Sequence, residues 1–227
     1  MGTAKKEYLP LPDSSLTVLG SAVTAFASCP RIGPIVITVP PDDEDSARAC
    51  LPAELLQNRK DIFFVDGGAS RRLSVHNALL FLEPLAPSHV LIHDGARPWI
   101  SLDLIERCID SAFCHGAVIP ALPLLETPKE IRLDKLISLE LSSSEVDSES
   151  VFINRHLRRE SIYVSQTPQA FKFPEILIAH NKSAEREAAE GFEYTDDAEV
   201  WGEFAGQVAV ISGDANNKKI TYPEDIR

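Results

Sequence analysis

The sequence predicts an α/β fold: a doubly wound, mostly parallel sheet flanked by helices, with a protruding β-hairpin arm. Three observations predict it. Short apolar runs over 35–39, 62–65 and 90–92 alternate with stretches of helical periodicity. Two of these runs end in polar, glycine-containing junctions, Asp66-Gly67-Gly68 and His93-Asp94-Gly95-Ala96-Arg97. An open sheet keeps its ligand crevice at such strand ends. Finally, β-prone runs over 131–141 and 151–157 flank an acidic, serine-rich stretch, 142–150. That pattern reads as a hairpin with a mobile tip, unable to bury both faces on its own domain.

In chain order, the first eleven residues form a basic, proline-punctuated segment with no regular element. Leu16, Leu19, Val23 and Phe26 lie at helical spacing and predict a helix over 16–27, ended by Pro30 and Gly33-Pro34. A buried strand over 35–39 leads into a solvated acidic loop, 40–45, where nothing apolar shelters a metal. A short helix follows, then a strand over 62–65. Ser70 is placed to cap a helix carrying Ser74, Ala78 and Leu82, with Arg71-Arg72 as its solvated start. Asp103 and Glu106 are spaced as a capping box for a helix over 103–113. The run 116–125 is a strand whose prolines suit an edge or a bend. Beyond the arm come a strand over 162–169 ending in a polar turn, and helices over 174–182 and 183–190. Thr195 is placed to cap a further helix. Strands over 207–211 and 217–221 and a helical opening turn at 223–226 complete the chain. The whole is one domain, 1–227, with the arm at about 128–158.

The composition narrows the partners. At 227 residues, 44% hydrophobic and 25% charged, the chain can bury a substantial core. A net charge of −12 argues against nucleic acid or an acidic membrane as partner, so an anionic substrate requires a local basic pocket. Cys29, Cys50, Cys108 and Cys114 lack metal-binding spacing and read as reduced thiols of a cytoplasmic protein. No apolar run has membrane-spanning length and no signal-peptide core opens the chain. Lys6 occupies the Ser/Thr position of a myristoylation motif and rules that motif out.

The polar junctions carry the chemistry. Gly67-Gly68 permits backbone conformations whose exposed N–H and C=O groups read a flat base edge; the same pair also suits a simple turn. Asp94 can accept ribose hydroxyls or face a metal, Gly95 admits close backbone approach, and Arg97 suits an anionic oxygen. An ordinary strand-to-helix loop with an Asp–Arg pair is the alternative for that cluster.

Taken together, Lys6-Glu-Tyr-Leu9, Asp66-Gly-Gly68 with Ser74, His93-Asp-Gly-Ala-Arg-Pro98, Arg159, Gln166-Thr-Pro-Gln-Ala-Phe171, Thr195-Asp-Asp197 and 217–225 resemble the family of 2-C-methyl-D-erythritol 4-phosphate cytidylyltransferases. The match runs in order through nearly the whole chain. The resemblance implies a Rossmann-like nucleotidyltransferase that moves CMP from CTP to a sugar-alcohol phosphate with release of pyrophosphate, in isoprenoid precursor biosynthesis. It implies Lys6 as the transition-state lysine, and Arg159 and Lys219 as the holders of the acceptor phosphate, Arg159 acting from the arm across a homodimer interface. Gly68 and Ser74 fall at cytosine-contacting positions, and Asp94 and Gly95 at ribose- and phosphate-proximal ones. Arg97, Thr127, Thr167 and Thr195 would line the acceptor pocket. Mg²⁺ is expected, held mainly by phosphate oxygens with Asp94 nearby. Transfer to ribitol 5-phosphate, or nucleotide binding without turnover, are the alternatives within the same motifs. The family also has a glycine-rich first strand and loop; no run before Leu16 supplies them, and the expectation is that they are encoded ahead of Met1.

Overall fold

The structure is a computed structural model and describes residues 5–12, 14–131 and 152–226. The chain divides into two compact units, one of residues 1–121 and 165–227, the other of residues 122–164.

In the first unit β1 (Ile35–Val39) and β2 (Ile62–Asp66) pair in parallel, Ile35 opposite Ile62 and Val39 opposite Asp66. The chain then runs through β3 (His89–Ile92) and leaves the unit along β4 (Ala117–Pro123). The second unit holds β5 (Lys129–Ile131), paired antiparallel with β6 (Ile153–His156), and most of β7 (Tyr163–Ser165). Back in the first unit come β8 (Gln169–Lys172) and β9 (Ala209–Ser212). β3 and β4 are both antiparallel to β8 and so point the same way, and β9 runs parallel to β4. Among β3, β4, β8 and β9, β8 is thus the reversed strand.

The helices are α1 (Val18–Ala27), α2 (Glu44–Ala49), α3 (Ala53–Asn58), α4 (Arg71–Leu82), α5 (Leu102–His115), α6 (Glu175–Glu190) and α7 (Asp197–Phe204). Neighbouring residues of one strand face opposite sides, and the core divides accordingly. Val118 and Ala170 pack with Phe26 of α1 and Leu104, Ile105 and Ile109 of α5. Their neighbours Ala117 and Phe171 pack with Leu79 of α4, Ile176 of α6 and Trp201 of α7. Helices therefore cover both faces, as a doubly wound sheet requires. A third cluster joins Leu19 and Val23 of α1 to Ile37 and Val39 of β1 and Ala47 of α2. Among the described residues no ladder joins β1 to β3. An apolar cavity of about 880 Å³ is lined by both, with Val23, Phe26 and Leu82 among its walls.

Several elements differ from expectation, each for a local reason. Ser101 caps α5 by accepting from the Leu104 N–H at 3.3 Å, while Asp103, expected in a capping box, accepts from Arg107 Nε at 2.8 Å. Asp196, rather than Thr195, caps α7 and accepts from the Glu199 N–H at 2.9 Å. Ser70 does cap α4. The two helices expected over 174–190 are one, closed by Gly191 at φ 65°. No strand forms over 217–221: the Asn217 carbonyl accepts from Arg97 and Gln166 side chains, the Thr221 N–H donates to Asp225, and only the Ile220 N–H reaches another segment's backbone, at Ala96. β8 falls where the sequence suggested the end of a polar turn. The first segment contains a 3₁₀ turn, Lys6–Tyr8, and the acidic loop is not wholly solvated: Asp43 accepts from Lys5 Nζ at 2.9 Å and Tyr8 Oη at 2.8 Å. Most of the expected hairpin arm lies outside the described residues.

Candidate functional site

The site lies at the carboxyl ends of β2 and β3. After β2, the Gly67 N–H donates to the Val39 carbonyl at 2.6 Å, and the Gly68 N–H to Ser74 Oγ at 3.0 Å. Ser74 Oγ in turn donates to the Ser70 carbonyl at 2.9 Å, so the loop is pinned to the first turn of α4. A Cβ on Gly68 would collide with Leu73, which leaves glycine as the residue that fits.

After β3, one hydroxyl organises the junction. Thr167 Oγ1 accepts the Asp94 N–H at 3.0 Å and lies 3.0 Å from His93 Nδ1. Having accepted once, the hydroxyl gives its proton to Nδ1, so the imidazole carries its own on Nε2, which donates to the Arg97 carbonyl at 3.2 Å. Burial pushes the His93 pKa down to about 4, in keeping with this neutral ring.

The Asp94 carboxylate meets three cations: Lys219 Nζ at 3.1 Å and Arg97 Nε at 3.4 Å on one oxygen, and Arg71 Nε at 3.7 Å on the other. Burial pushes its pKa up, but the Lys219, Arg71 and Arg97 charges outweigh this and hold it below the usual carboxylate range. Arg97 is anchored by donating to the Asn217 carbonyl at 2.9 Å. Asn217 is fully buried and donates to the Thr167 carbonyl at 2.7 Å. Gln166 clamps the same loop, donating to the carbonyls of Asp214 and Asn217 and accepting the Asp214 N–H. The Ile220 N–H donates to the Ala96 carbonyl at 2.8 Å and ties the Lys219 segment to the β3 junction. Gly95 faces the Lys6 turn; a Cβ there would sit 3.9 Å from Glu7 Cγ. Lys6 also contributes to holding the Asp225 carboxyl low, behind the hydrogen bonds that carboxyl accepts from the Tyr222 and Thr221 N–H groups.

The structure therefore brings Asp94, Gly95, Arg97, Thr167 and Lys219 into one place, with the turn that carries Lys6 beside Gly95 and with Gly68 and Ser74 at the end of β2. The Thr195 hydroxyl and N–H both donate to Glu199 Oε2, each at 2.8 Å. Thr195 thus braces α7 and its hydroxyl proton is already committed. Thr127 and Arg159 belong to the second unit, where Arg159 donates to the Leu125 carbonyl at 3.1 Å. Arg71, Gln166 and Asn217 contact these groups or their loop, and Asp197 pairs with Arg71. In the sequence Arg71 can equally be a solvated helix start, and an arginine that begins a helix carries no mark of the carboxylates it will meet.

Among the described residues no cluster of three His, Cys, Asp or Glu side chains could cage a metal. A divalent cation carried by phosphate oxygens would meet the Asp94 carboxylate here, which already faces Lys219, Arg97 and Arg71.

Fold and site together define a class. Glycine-containing junctions at the carboxyl ends of β2 and β3, beside Arg71, Arg97 and Lys219, form the kind of crevice in which α/β sheets hold anionic ligands. The model of the 2-C-methyl-D-erythritol 4-phosphate cytidylyltransferase (IspD) family matches residues 2–227, and the chain belongs to that family. The enzyme of that name from Pelotomaculum thermopropionicum is 34% identical, over 100% of this chain and 85% of its own length. The bifunctional IspD/IspF of Brucella abortus is 36% identical over 92% of this chain. That match takes in 48% of the relative, so the chain spans about half the length of such bifunctional proteins. Among solved structures, the Thermus thermophilus cytidylyltransferase superposes with TM-score 0.73 at 27% identity, covering 99% of this chain and 92% of that one. The synthase from Anaerococcus prevotii does so with TM-score 0.74 at 29% identity, over 92% and 82%.

Proposed function

We propose that this chain transfers the cytidylyl group of CTP to the phosphate of 2-C-methyl-D-erythritol 4-phosphate. The observation that carries the reading is the family match across residues 2–227 together with Arg71, Arg97 and Lys219 around Asp94 in one crevice. An oxygen of the acceptor phosphate attacks the α-phosphorus of CTP, a new P–O bond forms, and the bond to the β-phosphate oxygen breaks to release pyrophosphate. Such displacements need alignment and cationic stabilisation more than covalent help. Gly68 presents backbone to the cytosine, and Asp94 and Gly95 face the ribose and phosphates. Lys6 and Lys219 neutralise charge that shifts between the phosphates. Arg97 and Thr167 hold the shape of the β3 junction. Mg²⁺, when bound, would screen the triphosphate, with Asp94 its protein carboxylate.

The reading extends to assembly and location. The second unit exposes Ile131, Ile153, Tyr163 and Val164, which supports a homodimer built through the arm and presenting Thr127 and Arg159 to the acceptor. The four cysteines are free thiols, which supports a reducing compartment such as the cytoplasm.

Pyrophosphate release from CTP, measured with methylerythritol phosphate and with ribitol 5-phosphate, tests the reading. Turnover is expected with the first; turnover confined to the second would reassign the acceptor, and none with either would sink the proposal. Lys219→Ala is expected to lower kcat/KM by roughly 10²–10³, as losing one stabiliser of transition-state charge does, with little change in Tm.

A further inference from the structure

Behind Asp94 lies a chain of charges that the reaction as described does not use. The Arg71 guanidinium, at the first residue of α4, reaches Asp94 with Nε and Asp197 with Nη2, the latter at 2.8 Å. Asp197 is 1% exposed and begins α7. On its far side His180 Nε2 stands 3.2 Å from Oδ1, in a side chain wholly removed from solvent. The His180 ring stacks on His76 of α4 at 6.1 Å. Burial pushes the Asp197 pKa up, and His180 and Arg71 outweigh it and keep the carboxylate ionised. A charge so placed stabilises the fold poorly, because desolvation offsets most of what pairing returns. It does fix geometry: a planar guanidinium held from behind has one orientation left.

We infer that Arg71 is a positioning residue for the nucleotide site, and that the buried Asp197–His180 pair is its support. Two things are set by it at once. One is the Asp94 carboxylate, whose Oδ1 faces Arg71 while Oδ2 faces Arg97 and Lys219. The other is the first turn of α4, which carries the Ser74 hydroxyl that pins Gly68. Asp94 and the Gly68 loop end different strands, and the Arg71 side chain links them directly. Lysine cannot replace it, since one ammonium lacks the fork that spans two carboxylates. The inference rests on the cytidylyltransferase reading for its kinetics, but not for its geometry.

The test compares wild type, Arg71→Ala, Arg71→Lys and the double variant Arg71→Ala/Asp197→Asn, which leaves no unpaired buried carboxylate if the single alanine variant folds badly. Three readouts are taken: crystal structures, Tm, and kinetics with CTP and the acceptor varied separately. Without Arg71, the Asp94 carboxylate is expected to move by more than about 0.5 Å, the tolerance of a working site. KM for CTP is expected to rise at least tenfold while KM for the acceptor stays within twofold. Arg71→Lys is expected to recover Tm but not KM for CTP, and added guanidinium to restore part of the Arg71→Ala loss. An Asp94 that stays in place, or variants in which both KM values follow Tm, would overturn the inference. Should wild type lack turnover, the crystal structures alone decide it, and only the activity reading fails.

Discussion

His93 shows how a buried polar residue can serve by staying neutral. Its two ring nitrogens are spent on Thr167 and the Arg97 carbonyl, and burial holds its pKa near 4. In the unfolded chain the same ring titrates near its ordinary value of about 6.5. The unfolded state therefore binds the extra proton first, so this contribution to stability is intact above pH 6.5 and is lost as the pH falls towards 4. The loss approaches roughly 3 kcal/mol across that window at about 1.4 kcal/mol per pH unit. Half-buried His89, also lowered by burial, adds a smaller effect of the same sign. Asp94 and Asp197, both depressed, lose their contributions only below the ordinary carboxylate range. Urea unfolding at pH 7, 5.5 and 4.5 should show this fall, flattened in His93→Asn; an unchanged slope in that variant would contradict the assignment.

At the scale of elements, the turn that carries Lys6 is a single 3₁₀ turn with no buried residue of its own. Its hold comes from Asp43, which accepts from both Lys5 and Tyr8, and from the Tyr8 ring against the cluster of Val23, Ile37 and Leu51. Tyr8→Phe keeps the ring and loses the hydroxyl. It should lower kcat several-fold with KM for CTP unchanged, since Lys6 acts on charge that develops during transfer; a raised KM with normal kcat would place the turn in ground-state binding instead. The sequence disclosed this element only in part. Its residues were legible as a motif, but Asp43 lies in a run of acids that looked uniformly solvated. β8 was hidden for a related reason: Gln169 and Lys172 interrupt its apolar pattern. Gln169 is buried nonetheless, because its amide is matched by the Asp196 carboxylate and the Ala198 N–H.

For the whole molecule, β1 and β3 both border the apolar cavity of about 880 Å³, and no ladder joins them among the described residues. Strands in this class of sheet are buried on both faces and satisfied on both edges.

The sequence by itself determined the helices, the buried parallel strands and the ordered motifs that mark the family, because these depend on periodicity and on residue types at fixed spacing. Asp94, Gly95, Arg97, Thr167 and Lys219 were named from those motifs and lie side by side in the structure. Only the tertiary structure decided what each group does within the site. Asp94 sits among Lys219, Arg97 and Arg71, Thr195 is turned to Glu199, and Asn217 is buried beneath the Arg97 guanidinium. Arg71 and Asp197 are 126 positions apart in the chain and 2.8 Å apart in space. Partnership at that separation is a property of packing: it is set by where α4, α6 and α7 bury their apolar faces, and no local pattern records it.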